Sequence, residues 1–405
     1  MRTRTVFLGL LLFCLLASLG CSRPEPVAPA HFTLLVPSWY APDKLPALQT
    51  ALAAWPNVEA KVLVGKRDAI FQKILLGAKR GDFADAVLAR NEWIGPLVEA
   101  GALRPLPPEA AELVRGQALP ALLPAVSDRQ SVWAVPFDAD VMVLWYRRDL
   151  AAAAGVTPPT DPAQWDLNRL AEMARRLQGE ARGFAFSAQR YPNAALAFLP
   201  WYFAQGGDLA DESGRLRLEA PQAAAALAWL QSLIQAGACP SGVAGMEQND
   251  VFNGLAGGAY AMAVGGSWDR GMLAKQSAFA GRMASLPVPR ATLIGGWSLV
   301  LPAGGKPGCL PLLTALFAAA VQRDKLTQSG WLPVRQDLLD DPWFAASPDG
   351  PAFRQSLAIG RALPLHPRLN AALDEIATML AEVFLEKAKS EQAAAAAAAK
   401  IAGLN

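Results

Sequence analysis

The chain has 405 residues, too many for one ordinary hydrophobic core, and its length predicts two domains. The formal net charge is only +2, which argues against a nucleic-acid partner. The two histidines, His31 and His366, lie far apart with no acid or cysteine grouped near either. We therefore expect no zinc or other metal site, no histidine-dependent catalytic triad and no cofactor.

Residues 1–20 have the pattern of a signal peptide. Arg2 and Arg4 precede an apolar run that is short for a membrane-spanning helix. The run ends in Ser-Leu-Gly-Cys, which resembles a bacterial lipobox and predicts lipid attachment at Cys21. Prolines recur directly afterwards, so residues 21–31 are predicted to form a semi-rigid tether. We expect an extracytoplasmic protein that contacts a bacterial membrane through its lipid anchor only.

The first part of the mature chain alternates predicted strands and helices. Strands are predicted at residues 32–36, 58–64 and near 81–88, with helices at 45–54 and 69–79. Trp39 and Tyr40 follow the first strand, and open α/β sheets bind ligands where strand ends face a crevice. Both are candidate ligand contacts, although Trp39 could instead cap the hydrophobic core.

Two carboxylates lie directly before the most apolar strand that the sequence predicts. Val141 to Tyr146 is apolar throughout and rich in β-branched and aromatic residues, which favours a strand buried on both faces. Asp138 and Asp140 precede it, after Pro136. They are two residues apart, so in an extended chain their side chains point to the same face. One face could therefore present both carboxylates to a ligand, and the alternative is two solvated loop acids.

The remaining candidate contacts lie in loops and turns of the second half. Helices are predicted at 166–178, 221–235, 310–320, 369–386 and 391–401, with a short strand at 183–186. Asn193 precedes a long apolar helix, and Trp331 lies in a predicted turn. Two glycines before Trp268 would let the backbone approach a ligand closely. Trp297 also follows two glycines, although it could instead plug a domain interface.

Several segments resemble one known family. The run P-F-D-A-D-V-M-V-L-W-Y-R-R-D-L, residues 136–150, resembles the crossover segment of the family 1 extracellular solute-binding proteins, the carbohydrate receptors of ABC importers related to maltose- and trehalose-binding proteins. The resemblance continues, in order, at Arg90–Trp93, Phe252–Val264, Gly295–Leu301 and Ser329–Arg335. It implies that Asp140 binds sugar hydroxyls, that Trp268 stacks on a sugar ring and that Glu92 is a further contact.

The same resemblance implies an α/β fold of the periplasmic-binding-protein type, in which two lobes are joined by a multi-segment hinge and the ligand cleft lies between them. Lobe 1 would contain residues 32–140 and 300–345, and lobe 2 residues 141–299 and 346–405. Cys239 and Cys309 would then lie in different lobes, which argues against a disulfide. The implied function is that of a monomeric, non-enzymatic receptor that captures a carbohydrate and delivers it to ABC permease subunits.

Composition fits a carbohydrate site and leaves two other functions open. The chain has twelve tryptophans and only five tyrosines. Tryptophans suit a sugar site because flat sugar faces pack on indoles, while acid and amide groups bind the hydroxyls. Asp138, Asp140 and several tryptophans could instead form a box for a polyamine or another small polar solute. A lipoprotein glycosidase would need two carboxylates roughly 5 to 10 Å apart, which the same two residues could provide.

Overall fold

The computed structural model describes residues 30–53, 58–80, 83–159, 164–275, 281–306 and 308–405. The predicted signal peptide, Cys21 and most of the tether lie outside the described residues. Within the described ranges, no helix is both long enough and apolar enough to cross a bilayer.

The described strands and helices follow one another in an α/β pattern. The strands are β1 (Ala30–Pro37), β2 (Val58–Gly65), β3 (Ala86–Arg90), β4 (Leu103–Arg104), β5 (Ala134–Arg147), β6 (Met262–Gly266), β7 (Met283–Pro287), β8 (Thr292–Pro302) and β9 (Gly360–Ala362). The helices of the first half are α1 (Pro46–Ala53), α2 (Arg67–Arg80), α3 (Asn91–Glu99), α4 (Pro108–Gln117), α5 (Leu123–Val126), α6 (Arg148–Ala153), α7 (Leu167–Arg176) and α8 (Pro192–Ala204). Those of the second half are α9 (Ala220–Gln235), α10 (Gln248–Gly257), α11 (Arg270–Lys275), α12 (Leu310–Phe317), α13 (Ala319–Ser329), α14 (Pro342–Ala346), α15 (Gly350–Ala358), α16 (Leu369–Phe384) and α17 (Ser390–Ala402).

Strand β5 connects the two parts of the sheet. The hydrogen-bonded order is β2-β1-β3-β8-β5-β6, with β1 parallel to β2 and β3, and β8 antiparallel to β3 and β5. The first half of β5 pairs with β8, and its second half pairs with β6 on one side and β7 on the other. Because one strand belongs to both parts, its midpoint lies between them.

Strand β5 is longer than the strand Val141 to Tyr146 that the sequence predicts. It begins at Ala134, because β8 supplies hydrogen-bonding partners to residues 134–141. Asp138 and Asp140 are therefore strand residues, and the alternative of two solvated loop acids is wrong. The register shifts between Pro136 and Asp138, and Gly296 adopts a φ of 133° opposite Ala139. A Cβ at Gly296 would lie 1.9 Å from the Asp138 carbonyl oxygen, so only glycine fits this irregularity.

Two other predicted elements differ from the structure. Residues 183–186 do not form a strand; only isolated bridges from Arg182 to Tyr260 and from Ala185 to Ala263 occur there. The predicted helix 310–320 is broken at Ala318, whose ψ of 140° is extended. Side chains from other segments stabilise this break by donating to carbonyls that it frees, Gln322 to Leu316 at 2.9 Å and Arg335 to Phe317 at 3.3 Å.

Buried apolar side chains form two separate clusters. The first is built mainly from β1, β3, the first half of β5, β8 and α12, and the second mainly from α7, α8, α9, α16 and α17. Cys309 belongs to the first cluster and Cys239 to the second, and both are buried and unbridged. Phe353 and Leu357 pack in the first cluster although the sequence prediction puts them in lobe 2. The lobe boundaries themselves stay predictions.

Candidate ligand-binding cleft

A cavity of about 430 Å³, here called the central cavity, lies beside the midpoint of β5. Seven of the nine predicted contacts line it: Trp39, Tyr40, Asp140, Asn193, Trp268, Trp297 and Trp331. The sequence did not single out the other lining residues as contacts: Arg67, Arg90, Met142, Tyr191, Leu196, Glu247, Gln248, Asn249, Phe252 and Asp269. The two predicted contacts that do not line it, Glu92 and Asp138, border cavities that adjoin it.

One adjoining cavity, the Gly271 end, has a volume of about 270 Å³. It shares three lining residues with the central cavity, Asp140, Trp268 and Trp331. Its other lining residues are Asp138, Ser267, Arg270, Gly271, Ser329, Gly330 and Leu332. The opposite adjoining cavity, the Asn370 end, has a volume of about 320 Å³ and is lined by Arg67, Arg90, Glu92, Trp93, Tyr191, Asn193, Leu196, Asn370 and Leu373.

The lining side chains lie at strand ends because the sheet brings those ends together. Trp39 and Tyr40 form a 3-10 turn directly after β1, and Arg90 ends β3. Trp268 lies in a similar turn directly after β6. Arg67 lies two residues after β2 and could have been predicted by the same strand-end argument.

The aromatic residues of the cleft differ greatly in exposure. Tyr40 is fully buried and contacts Trp331 with ring centroids 4.3 Å apart. Trp297 is only 3% exposed and meets Trp39 edge-on at 5.4 Å. Trp268 is 45% exposed. Trp268 therefore has a ring face available to a ligand. Trp297 is mostly covered by side chains of the first cluster and also lines the central cavity, so its predicted ligand contact stays a prediction.

Asp138 has its carboxylate committed to neighbouring protein groups. It is 1% exposed, accepts a hydrogen bond from the Tyr40 hydroxyl at 2.8 Å, and lies 3.4 Å from the Lys325 ammonium nitrogen. Burial raises the pKa of Asp138 and lowers that of Lys325, and their mutual attraction opposes both shifts. These contacts hold the Tyr40 hydroxyl against Asp138. Asp138 also lines the Gly271 end, and its predicted ligand contact stays a prediction.

Asp140 faces the central cavity and is half-buried. In the described part of the chain, its carboxylate accepts no hydrogen bond. Burial and the nearby Asp138 raise the pKa of Asp140 well above its usual range, while Arg90 opposes the shift. Arg90 is held in turn by an ion pair with Glu92, which is 9% exposed. The Asp140 carboxyl is therefore a polar group available to a ligand, in an environment that disfavours its charge.

The glycines before Trp268 have a different role from the one predicted. A Cβ at Gly265 would lie 1.7 Å from the Phe252 ring, and a Cβ at Gly266 would lie 2.2 Å from the Trp268 ring. Both glycines make room for the protein's own aromatic side chains. The two glycines are required because the Phe252 and Trp268 rings occupy the space that a Cβ would need.

Asp269 is a cleft residue whose titration can be tested. It is 8% exposed, accepts a hydrogen bond from the Gly266 amide at 2.8 Å, and burial raises its pKa to about 7. An acid with a raised pKa binds more protons in the folded state, so its contribution to stability is present below the unfolded-state pKa near 4 and is lost as pH rises through 7.

We expect Asp269→Asn to remove this pH dependence. As pH rises from 4 to 8, the stability of the variant relative to wild type should increase by up to about 4 kcal/mol, as measured by urea unfolding at each pH. Asp250→Asn is a matched control, because Asp250 caps α10 by accepting from the Glu247 amide at the same 2.8 Å but is exposed. Parallel stability profiles for wild type and Asp269→Asn would contradict the prediction.

The fold and the cleft define a class of protein: two α/β cores joined by shared strands, with a polar and aromatic cavity beside the crossing point, are the architecture of a two-lobed small-solute binding protein. The chain belongs to the bacterial extracellular solute-binding protein family, whose family model matches residues 45–352. The family resemblance and the two-lobed α/β fold predicted from the sequence are thereby confirmed.

Relatives named as binding proteins cover much of the chain. A Brucella abortus (strain 2308) protein described as a binding protein is 23% identical over 355 residues, 85% of each chain. A Deinococcus radiodurans protein described as an ABC transporter-binding protein is 31% identical over 228 residues, 51% of this chain and 52% of the relative. An uncharacterised Streptomyces antibioticus lipoprotein is 27% identical over 306 residues, 71% of this chain and 65% of the relative.

Solved structures with the same fold include sugar-bound receptors. The GacH receptor of Streptomyces glaucescens, solved unliganded and with acarbose, superposes with a TM-score of 0.79 at 22% identity, covering 93% of this chain and 98% of that one. An ABC transporter solute-binding protein from Thermotoga lettingae, bound to α-D-tagatose, gives 0.77 at 20% identity and covers 93% and 99%. At these identities the likeness shows the fold.

Proposed function

We propose that this protein is a lipid-anchored extracytoplasmic receptor that captures a carbohydrate and delivers it to an ABC importer permease. The observation that carries the proposal is the pairing of an exposed indole, Trp268, with an Asp140 carboxyl that accepts no hydrogen bond in the described part of the chain. Around them lie amide side chains, Asn193, Gln248 and Asn249. Apolar sugar faces pack on indoles, and hydroxyls pair with carboxyl and amide groups, so the lining suits a neutral polyol.

The central cavity offers few fixed negative charges to a polyamine, because burial raises the pKa values of Asp140 and Asp269 and so favours their neutral forms. Arg67 and Arg90 line it together with Asp140, Glu247 and Asp269. A polyamine would have to approach two guanidinium groups, and like charges oppose such binding.

The carboxylates give little support to glycosidase activity. Asp138, one member of the pair that a glycosidase would need, is buried and engaged by Tyr40 and Lys325. We accordingly propose a receptor without catalytic activity, and hydrolysis of aryl glycosides by the purified protein would overturn that part of the proposal.

A thermal-shift screen over mono- and oligosaccharides, with putrescine and spermidine included, tests the proposal. A ligand present at about 100 times its Kd stabilises the folded state by roughly 2.7 kcal/mol, which raises Tm by several degrees. We expect one or more carbohydrates to raise Tm and the polyamines to leave it unchanged. Stabilisation by spermidine and by no carbohydrate would contradict the proposal and indicate a polyamine receptor instead.

Trp268→Ala is expected to weaken carbohydrate binding by about 5- to 150-fold, or roughly 1–3 kcal/mol, because it removes a buried stacking surface from the complex. Calorimetric titration measures the loss. Trp133→Ala is a suitable control, since Trp133 is a partly buried tryptophan that lines none of the three cavities and donates its hydrogen bond to Asp128. Equal affinities for wild type and Trp268→Ala, with an intact fold, would show that Trp268 packs against the protein and does not bind the ligand.

Cys21→Ala is expected to release the protein from the membrane without changing ligand affinity. The motivation is the Gly-Cys junction at the end of the predicted signal peptide, and the lipoprotein among the relatives supports it. Cell fractionation after a high-salt wash provides the measurement. A variant that still sediments with membranes would show that the lipid is not the anchor.

A further inference from the structure

The cleft is longer than its central cavity. The Gly271 end and the Asn370 end each share lining residues with the central cavity but none with each other, so each end borders the central cavity. Small-molecule pockets span roughly 300–1,000 Å³, and the central cavity alone lies near the lower limit of that range. The three together reach its upper limit, which is far more space than one sugar ring fills.

Exposed aromatic rings lie at both junctions. In the described part of the chain, the exposed large hydrophobic side chains are Val64, Leu76, Tyr191, Trp268 and Leu385. The two aromatic ones both line the cleft: Trp268 borders the central cavity and the Gly271 end, and Tyr191 borders the central cavity and the Asn370 end. The Tyr191 hydroxyl accepts a hydrogen bond from Arg67 at 3.4 Å, which helps to orient its ring.

Polar groups continue beyond both rings. Ser267, Arg270 and Ser329 line the Gly271 end, and Glu92 and Asn370 line the other. A chain of sugar rings needs this alternation, because each ring has apolar faces that stack and hydroxyls at its edge that form hydrogen bonds.

We propose that the cleft binds a linear oligosaccharide of at least three rings, which extends from the Gly271 end through the central cavity to the Asn370 end. This inference rests on the proposed carbohydrate function and adds the size of the ligand. Trp268 and Tyr191 stack on successive rings, and Asp140 binds hydroxyls of the central one.

Titration calorimetry with malto- and cello-oligosaccharides of one to four rings tests the proposal. We expect the affinity to rise at least about tenfold between one ring and three in the series that binds, as each added aromatic contact contributes. If glucose binds as tightly as its longer homologues, the proposal is wrong. It is equally wrong if neither series binds while a monosaccharide raises Tm in the screen.

Two variants that fill the ends of the cleft test the path of the chain. Gly271 lies in α11 and is exposed, and a Cβ built on it meets nothing within 4 Å among the described residues outside its own helix. We therefore expect Gly271→Phe to fold and to occupy the Gly271 end. Asn370→Trp fills the opposite end from an exposed position. Each should weaken binding of three- and four-ring ligands by at least about tenfold and leave single-ring affinity nearly unchanged.

Matched controls distinguish a blocked cleft from a general effect of adding a large aromatic side chain. Gly116→Phe makes the same change in helix α4, at a glycine that also has open space and lies outside the cleft. Ala371→Trp places an indole at the exposed position next to Asn370. Both should bind like wild type, and unchanged long-chain affinity in Gly271→Phe and Asn370→Trp would overturn the proposal. Failure of the carbohydrate function itself gives a different result, because no sugar of any length would then raise Tm.

Discussion

Lys325→Met is expected to destabilise the folded protein by roughly 3–5 kcal/mol, because removal of one member of a buried charged pair leaves the other without its partner. Lys325 is fully buried, donates a hydrogen bond to the Phe137 carbonyl, and lies 3.4 Å from Asp138. The variant leaves Asp138 with the Tyr40 hydroxyl as its side-chain partner. Tyr40 borders the central cavity, so carbohydrate affinity should fall as well.

Urea unfolding provides the measurement for Lys325→Met, and two further variants make it decisive. The double variant Lys325→Met with Asp138→Asn should recover part of the loss, since the amide removes the unpaired buried charge. Lys44→Met, at an exposed lysine, should leave stability within about 0.5 kcal/mol of wild type. A similarly small change for Lys325→Met would show that the ion pair contributes little to the fold.

Asp140→Ala is expected to weaken carbohydrate binding at least tenfold at a pH where Asp140 is ionised, because hydrogen bonds to a charged carboxylate contribute roughly 1.5–3 kcal/mol each. Asp140→Asn keeps one acceptor, so a neutral sugar should tolerate it better than alanine. A polyamine held by ion pairing should lose nearly as much affinity with asparagine as with alanine and should become strongly salt-sensitive. Calorimetric titrations of the three proteins at low and high salt distinguish these cases.

The pH dependence of binding tests the charge state of Asp140 separately. Burial and Asp138 raise its pKa well above the usual range, so the carboxylate form is populated only as pH rises through that raised value. Asp269 also lines the central cavity and titrates near pH 7, so both proteins are compared in an Asp269→Asn background. If hydroxyls donate to the Asp140 carboxylate, affinity should increase with pH when Asp140 is present and should stay nearly constant in Asp140→Asn. Equal affinities for wild type, asparagine and alanine variants at every pH would mean that Asp140 does not contact the ligand.

Local patterns in the sequence were sufficient for the family, the fold class and seven of the residues that line the central cavity. Buried strands and amphipathic helices are encoded by residues close together in the chain, and helices α1, α9 and α16 agree with their predictions within two residues. Trp39 and Tyr40 were found because they directly follow a strand, and strand ends meet where such sheets bind ligands. Trp268 was found from the two glycines before it and from the family resemblance. The collinear order of short motifs indicated the family.

The tertiary structure alone decided the roles of individual residues. The spacing of Asp138 and Asp140 predicts that both side chains point toward a ligand. Lys325, 187 residues further along the chain, is the buried partner of Asp138. The side chains of Phe252 and Trp268 explain Gly265 and Gly266, and pairing with β8 extends β5 back to Ala134. A side chain's exposure and hydrogen-bond partners depend on segments remote in sequence, because packing brings them together only in the folded chain.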